Sequence, residues 1–167
     1  MKLDTAAEAM ITCCHIDSPA GSLLVAATDH ALIALQFAPR ARAMPLHERW
    51  QEGDSALLAR VRAELAQYFA GVRRRFELPL DPQGTRFQQQ VWRALREIPY
   101  GHTWSYGQLA RHIRAPAASR AVGAAAGRNP IAIIVPCHRV IGANGSLTGF
   151  AGGLAVKRQL LELERAR

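Results

Sequence analysis

The chain has 167 residues, 49% of them hydrophobic, and a formal net charge of +8. That length suits one domain or two small ones around a packed core. No apolar stretch reaches the roughly 20 residues of a membrane helix, and the first ten residues lack the basic-then-apolar order of a secretory signal, so an intracellular, cytoplasmic protein is expected. The charge is unevenly divided: residues 1–84 hold nine Lys/Arg and ten Asp/Glu, net −1, whereas residues 85–167 hold twelve and three, net +9. Such a basic half suits a polyanion, because Lys and Arg contacts to phosphate supply most sequence-independent DNA affinity; a solvated basic face is the alternative. Cys13, Cys14 and Cys137 are too few for a disulfide framework, and with His15 they give no zinc spacing. No metal or cofactor is therefore expected.

In chain order, Ile11 to Ile16 and Ser22 to Thr28 flank the turn signal Ser18-Pro19-Ala20-Gly21, and Ala31 to Phe37 follows Asp29-His30, which predicts a meander of antiparallel strands. Pro39 to Gly53 reads as loop. From Ser55 to Ala70, Leu57, Leu58, Val61, Leu65, Tyr68 and Phe69 share one helical face, with Asp54 or Ser55 to cap the start and Gly71 the end. Phe76 to Leu80 suits one more strand, and Arg73-Arg74-Arg75 before it an exposed turn. Asp81-Pro82-Gln83-Gly84 breaks the pattern and divides the chain into an N-terminal α/β supporting domain, 1–81, and a C-terminal domain, 82–167.

The second half reads as mostly helical. Thr85 to Ile98 places Phe87, Val91, Leu95 and Ile98 at helical spacing before Pro99; Ser105 caps a short helix with Leu109, Ala110 and Ile113; a third helix runs from Ala117 to Gly127. Two short helices joined by a tight turn in a basic domain suggest a helix-turn-helix of winged-helix type, so the fold class is α+β. Apart from Arg120 and Val122, the third helix contains only Ala, Gly and Ser. Such a thin helix either packs closely on a neighbour or enters a DNA minor groove, roughly 6 Å wide, with Arg120 projecting toward the bases.

Asn129-Pro130 introduces the apolar run Ile131 to Val135, read as a rigid strand, which delivers Pro136-Cys137-His138-Arg139-Val140. Adjacent His and Arg favour the thiolate, which makes Cys137 the best nucleophile candidate. An inert buried cysteine, a thiol hydrolase with true turnover, and a transcription regulator with an incidental cysteine all remain open on these residues alone.

The run from Asn129 to Gly142 resembles the active-site signature of the O6-alkylguanine-DNA alkyltransferases, also called methylated-DNA–protein-cysteine methyltransferases. The similarity continues through Phe87 to Trp92, Ile98 to Gly101, Ser105 to Ala110, Ser119 to Gly123 and Gly149 to Gly153, and covers almost all of residues 85–165. In the N-terminal half it rests on layout and on Ser18 to Gly21 and Tyr68 to Gly71.

That resemblance implies a stoichiometric, self-inactivating repair protein acting on double-stranded DNA that contains O6-alkylguanine. Cys137 would accept the alkyl group, and His138 would act as base through a water, oriented by Glu164; unaided, Glu164 reads as a surface charge on a closing helix, Leu154 to Ala166. Tyr106 would donate to the departing guanine, and Arg120 would fill the stack left by a flipped base. Ser105, Ala121 and Gly123 would complete the DNA contact. Asn129 would brace the turn before Cys137, and Val140, Phe150, Ala151 and Gly152 would line the guanine pocket. Phe150 stands where Tyr is frequent in the family, and Ala151 where some members have Ser. Both changes bear on substrate range, and neither touches the reacting groups. The resemblance further implies a monomer, leaving open clustering along DNA, larger alkyl groups and O4-methylthymine.

Overall fold

The computed structural model describes residues 10–37 and 50–165. Four strands form a sheet in the order β3-β2-β1-β4: β1 Ile11–Ser18, β2 Gly21–Ala27, β3 Leu32–Phe37 and β4 Trp50–Glu52. The first three are the antiparallel meander expected from the alternation, and β1 turns into β2 at Ser18↔Gly21. Gly21 sits at φ +108°, and the Ser18 hydroxyl donates to its carbonyl at 2.6 Å. β4 pairs parallel to β1, Ile11↔Trp50, so the expected loop 39–53 ends in a strand; residues 38–49 lie outside the described residues. Trp50 is a good strand former and finds an open edge there.

β2 is buried on both faces. Leu23, Val25 and Ala27 join the main core, whereas Leu24 and Ala26 join a smaller cluster with Cys13 and Ala34. Helix α1, Ala56–Phe69, is capped by Ser55, whose side chain accepts from Leu58 N. It lays Leu57, Leu58, Val61, Leu65 and Tyr68 into the core, and Gly71 at φ +74° follows its end. The strand expected at Phe76–Leu80 shrinks to one bridge, Leu32↔Leu80, because Pro79 has no N–H to continue a ladder.

The C-terminal half is helical. α2, Arg86–Leu95, starts in a capping box in which Thr85 and Gln88 satisfy each other's backbone N–H. The expected continuation to Ile98 is a turn rather than helix. α3, Tyr106–His112, is capped by Ser105 in the same way. A turn through Arg114, at φ +61°, and a 3-10 segment Pro116–Ala118 lead to α4, Ser119–Gly127. α3 and α4 form the helix-turn-helix. Trp92 of α2 donates to Ala125 O at 2.8 Å and ties α4 down on its buried side, which carries Val122, Ala125 and Ala126. Two residues each of β5, Trp104–Ser105, and β6, Val140–Ile141, pair in parallel, and α5, Leu154–Arg165, closes the described chain.

One apolar core runs through both halves, from Ile16 and Leu23 to Val140 and Leu160. The join is made at the edge of β3. Leu35 N donates to Pro130 O at 2.9 Å, Ala132 N donates to Leu35 O at 2.9 Å, and Gln36 Nε2 donates to Pro130 O at 2.6 Å.

Thr85→Ala removes the side-chain acceptor for Gln88 N and leaves a helix start without its cap, at a cost of about 1 kcal/mol. Thermal unfolding reads this as a midpoint lowered by about 2–4 °C for a protein of this size, whereas an unchanged midpoint would show that the cap contributes nothing.

Candidate active site

The apolar run before Cys137 is not a strand. Ile131 makes a single bridge to Leu35, and the backbone then folds on itself: Ile134 N donates to Ala132 O at 2.8 Å and Val135 N to Ile131 O at 3.0 Å. Ile133 lies at φ +71°, a left-handed conformation that costs a β-branched residue on the order of 1–3 kcal/mol. Five consecutive apolar residues are here a buried turn, enclosed by both halves, a placement that periodicity alone does not separate from a strand. Asn129 holds it: its Nδ2 donates to Val135 O at 2.8 Å and its Oδ1 accepts from Ile131 N at 3.0 Å. Pro136 then starts a 3-10 turn, Cys137–Arg139, rather than the end of a strand.

Beneath this turn sits the buried carboxylate of Glu164. Its Oε1 accepts from Tyr68 Oη at 2.9 Å, His138 Nε2 at 2.7 Å and Arg139 Nη2 at 2.9 Å; its Oε2 accepts from Arg139 Nε at 2.9 Å. Arg139 spends a further donor on Ile98 O at 2.7 Å. Burial alone would raise the Glu164 carboxyl, but the hydrogen bonds from His138 and Arg139 outweigh it and bring it down to about 2. Burial, and then the Glu164 charge, push the Tyr68 phenol far above its ordinary value, so it stays a donor. Burial also lowers His138 below 6.5, against the pull of Glu164, so the imidazole is neutral near pH 7. An ionised carboxylate only accepts; Nε2 must therefore carry the proton, which leaves a lone pair on Nδ1. That Nδ1 is buried without a hydrogen-bond partner among the described residues.

A pocket of about 410 Å³ opens over the turn, lined by Cys137, Tyr106, Asn129, Phe150 and Ala151 together with Gly123 and Ala126 of α4 and Gln36 of β3. The Tyr106 hydroxyl donates to Thr148 O at 3.1 Å. Among the residues singled out in the sequence, Tyr106, Gly123, Asn129, Cys137, Phe150 and Ala151 meet at this pocket, and His138 and Glu164 lie behind it. Arg120 and Ala121 stand on the exposed face of α4, and Ser105 caps α3. Gly152 packs on Phe37, where an added Cβ would come within 2.7 Å of the ring. The Val140 carbonyl is taken by a residue the sequence reading passed over: Lys157, fully buried, donates Nζ to Val140 O at 2.6 Å and Thr148 O at 2.9 Å. Burial lowers Lys157 below its ordinary value, and attraction to Cys137 pulls it back. Tyr68, expected only in the core, and Arg139, expected to favour the thiolate, instead both bind the Glu164 carboxylate. The signal for Lys157 was present: with Leu160, Leu161 and Glu164 it forms one helical stripe, so two charged residues occupy inward positions.

The geometry defines a class, a mixed α+β protein whose helix-turn-helix borders a cysteine-centred pocket backed by a buried histidine and carboxylate. Residues 86–166 match the DNA binding domain of 6-O-methylguanine DNA methyltransferase, and residues 11–82 match its ribonuclease-like domain. The methylated-DNA–protein-cysteine methyltransferase of Methanosarcina acetivorans is 49% identical over 148 residues, 89% of this chain and 94% of that protein. That of Mycobacterium tuberculosis is 51% identical over 152 residues, 91% of each. The crystal structure of Mycobacterium tuberculosis O6-methylguanine methyltransferase superposes with a TM-score of 0.83 at 49% identity, covering 95% of this chain and 94% of that one. The Mycobacterium tuberculosis OGT in complex with DNA superposes with a TM-score of 0.85 at 48% identity, covering 93% and 92%. The chain belongs to the 6-O-methylguanine DNA methyltransferase family.

Stability follows the protonation of this cluster. His138, with its folded pKa below 6.5, contributes stability that is full above about pH 6.5 and is lost as pH falls below it; Glu164, lowered from 4.5 to about 2, adds a loss between about pH 4.5 and 2. The unfolding free energy should therefore fall between pH 7 and pH 5, with a slope of at most about 1.4 kcal/mol per pH unit for one proton, read as a falling thermal midpoint that falls less steeply in His138→Gln. Equal slopes in the two proteins would contradict this assignment.

Proposed function

We propose that the protein repairs DNA directly by moving the alkyl group of an O6-alkylguanine in double-stranded DNA onto Cys137, once per molecule. The observation that supports this most is the joining of Cys137 to a neutral, carboxylate-oriented His138 at a pocket bordered by the thin helix α4. His138 Nδ1 takes the thiol proton through a water. The sulfur then attacks the alkyl carbon; the S–C bond forms as the C–O6 bond breaks, and the electron pair passes to the guanine. Tyr106 turns its hydroxyl from Thr148 O to the departing base and supplies a proton, which avoids expelling a guanine anion. The product is a thioether with no leaving step, so turnover ends at one.

The pocket can receive the base only after it leaves the stack. Arg120, the one long polar side chain on the exposed face of α4, fills the gap, while Ala121 and Gly123 let the backbone approach the minor groove and Ser105 fixes the start of α3 beside it. Asn129 braces the turn, and Val140, Phe150, Ala151 and Gly152 shape the guanine site. Residues 82–167 form the DNA-binding and transfer domain and residues 1–81 its support, and the protein works as a monomer on DNA in the cytoplasm. O4-methylthymine is a second candidate substrate, since its alkyl–oxygen bond would meet the same sulfur.

Peptide mass measurement after incubation with O6-methylguanine duplex should find one added methyl on the peptide containing Cys137, with repair reaching a plateau at one equivalent. Cys137→Ser should gain nothing. An unmodified peptide would contradict alkyl transfer, and product beyond one equivalent would indicate a hydrolase. Arg120→Ala should lose more repair than DNA affinity; equal losses would contradict the flipping role.

A further inference from the structure

The N-terminal sheet does more than support the C-terminal half, because three consecutive residues of β3 reach the site. The Leu35 backbone pairs with the turn at Ile131, the buried Gln36 lines the pocket and its side chain holds Pro130 O at 2.6 Å, and the Phe37 ring packs on Phe150, itself part of the pocket lining. Phe37 is 3% exposed, and its ring lies edge-on to Phe150, with centroids 5.6 Å apart and planes at 63°. Phe150 lines the pocket beside Cys137, whereas Phe37 stands behind it.

The segment carrying Phe150 is pressed onto the same ring. A Cβ at Gly152 would lie 2.7 Å from Phe37 Cδ2 and 2.9 Å from Phe150 Cε1, closer than side chains tolerate. Left-handed glycines bound the segment, Gly149 at φ +51° and Gly153 at φ +93°, and Gly153 N closes a turn on Phe150 O at 2.9 Å. The position of Phe150 is thus set by what it leans on.

We infer that Phe37 is a positioning residue that sets substrate specificity: by backing Phe150 and Gly152 it limits how large an alkyl group the pocket admits beside Cys137. This rests on the alkyl-transfer reading above. A smaller side chain at 37 lets Phe150 tilt toward the sheet and widens the wall, without touching Cys137, His138 or Tyr106.

The test uses the full chain and compares single-turnover rates on one duplex carrying O6-methylguanine or O6-benzylguanine. Phe37→Leu should raise the benzyl-to-methyl rate ratio by about tenfold, the lower end of what a methylene-sized change in a pocket gives. Gly152→Ala should lower the ratio, and Phe37→Leu in the same chain should restore it. Val25→Ala, a core truncation in the neighbouring strand, should lower the melting temperature and leave the ratio alone. Phe37→Met, nearer in volume, takes the place of Phe37→Leu if the latter is unfolded at the assay temperature. An unchanged ratio in the Phe37 variant, or an equal change in Val25→Ala, overturns the inference while the function reading stands. A wild-type chain that transfers neither group overturns both.

Discussion

The carboxylate of Glu164 is the charge on which the site depends. Four hydrogen bonds converge on its two oxygens, from an N-terminal helix through Tyr68 and from the active-site turn through His138 and Arg139. An ionised carboxylate taken out of water is costly unless its lone pairs are met, and here the bidentate Arg139 guanidinium supplies both the countercharge and the geometry. With Arg139 balancing the charge, His138 need not be protonated. It can stay neutral, spend Nε2–H on Glu164, and present a basic nitrogen next in sequence to Cys137. Removing the carboxylate would leave the buried Arg139 with the Ile98 carbonyl but no countercharge, a loss on the order of 3–5 kcal/mol, so the stability of the fold and the order of the site draw on the same group.

Around that charge, the two halves share a boundary that belongs to the site. The segment 129–137 contains two prolines and a left-handed Ile133, and would not hold this shape as an isolated peptide. It is held by Asn129 from within and by the edge of β3 from outside. The far side of the pocket is held by Lys157, which gathers the carbonyls of Val140 and Thr148, the latter also accepting from Tyr106. Cys137, His138 and Tyr106 are thus held by separate supports, which is what the transfer proposed above, needing its atoms in line, requires.

Much of the fold could be read from the sequence because it rests on local chemistry. The turn at Ser18 to Gly21 and the caps at Ser55, Thr85 and Ser105 are short-range signals, and the corresponding strands and helices start where they pointed, whereas the helix expected to run up to Pro99 already ends at Leu95. The misreadings came from tertiary context. Ile131 to Val135 has the composition of a strand, yet its partners are the surrounding core and Asn129. Trp50 to Glu52 joins a sheet edge created by residues some forty positions earlier. The role of Cys137 was suggested by its neighbours and by resemblance, whereas Glu164 looked like an ordinary surface charge because its partners, Tyr68 and Arg139, are invisible to helix periodicity. Lys157 could have been found by asking why two charges share a stripe with Leu160 and Leu161.

The central claim is that Glu164 fixes a neutral His138 with its proton on Nε2 and its lone pair on Nδ1. Nitrogen-15 NMR of histidine-labelled protein near pH 7 tests it directly, with His138 assigned by substitution. The expected spectrum shows a protonated Nε2 and an unprotonated Nδ1 for that residue. A proton on Nδ1, or a doubly protonated ring, would contradict the account.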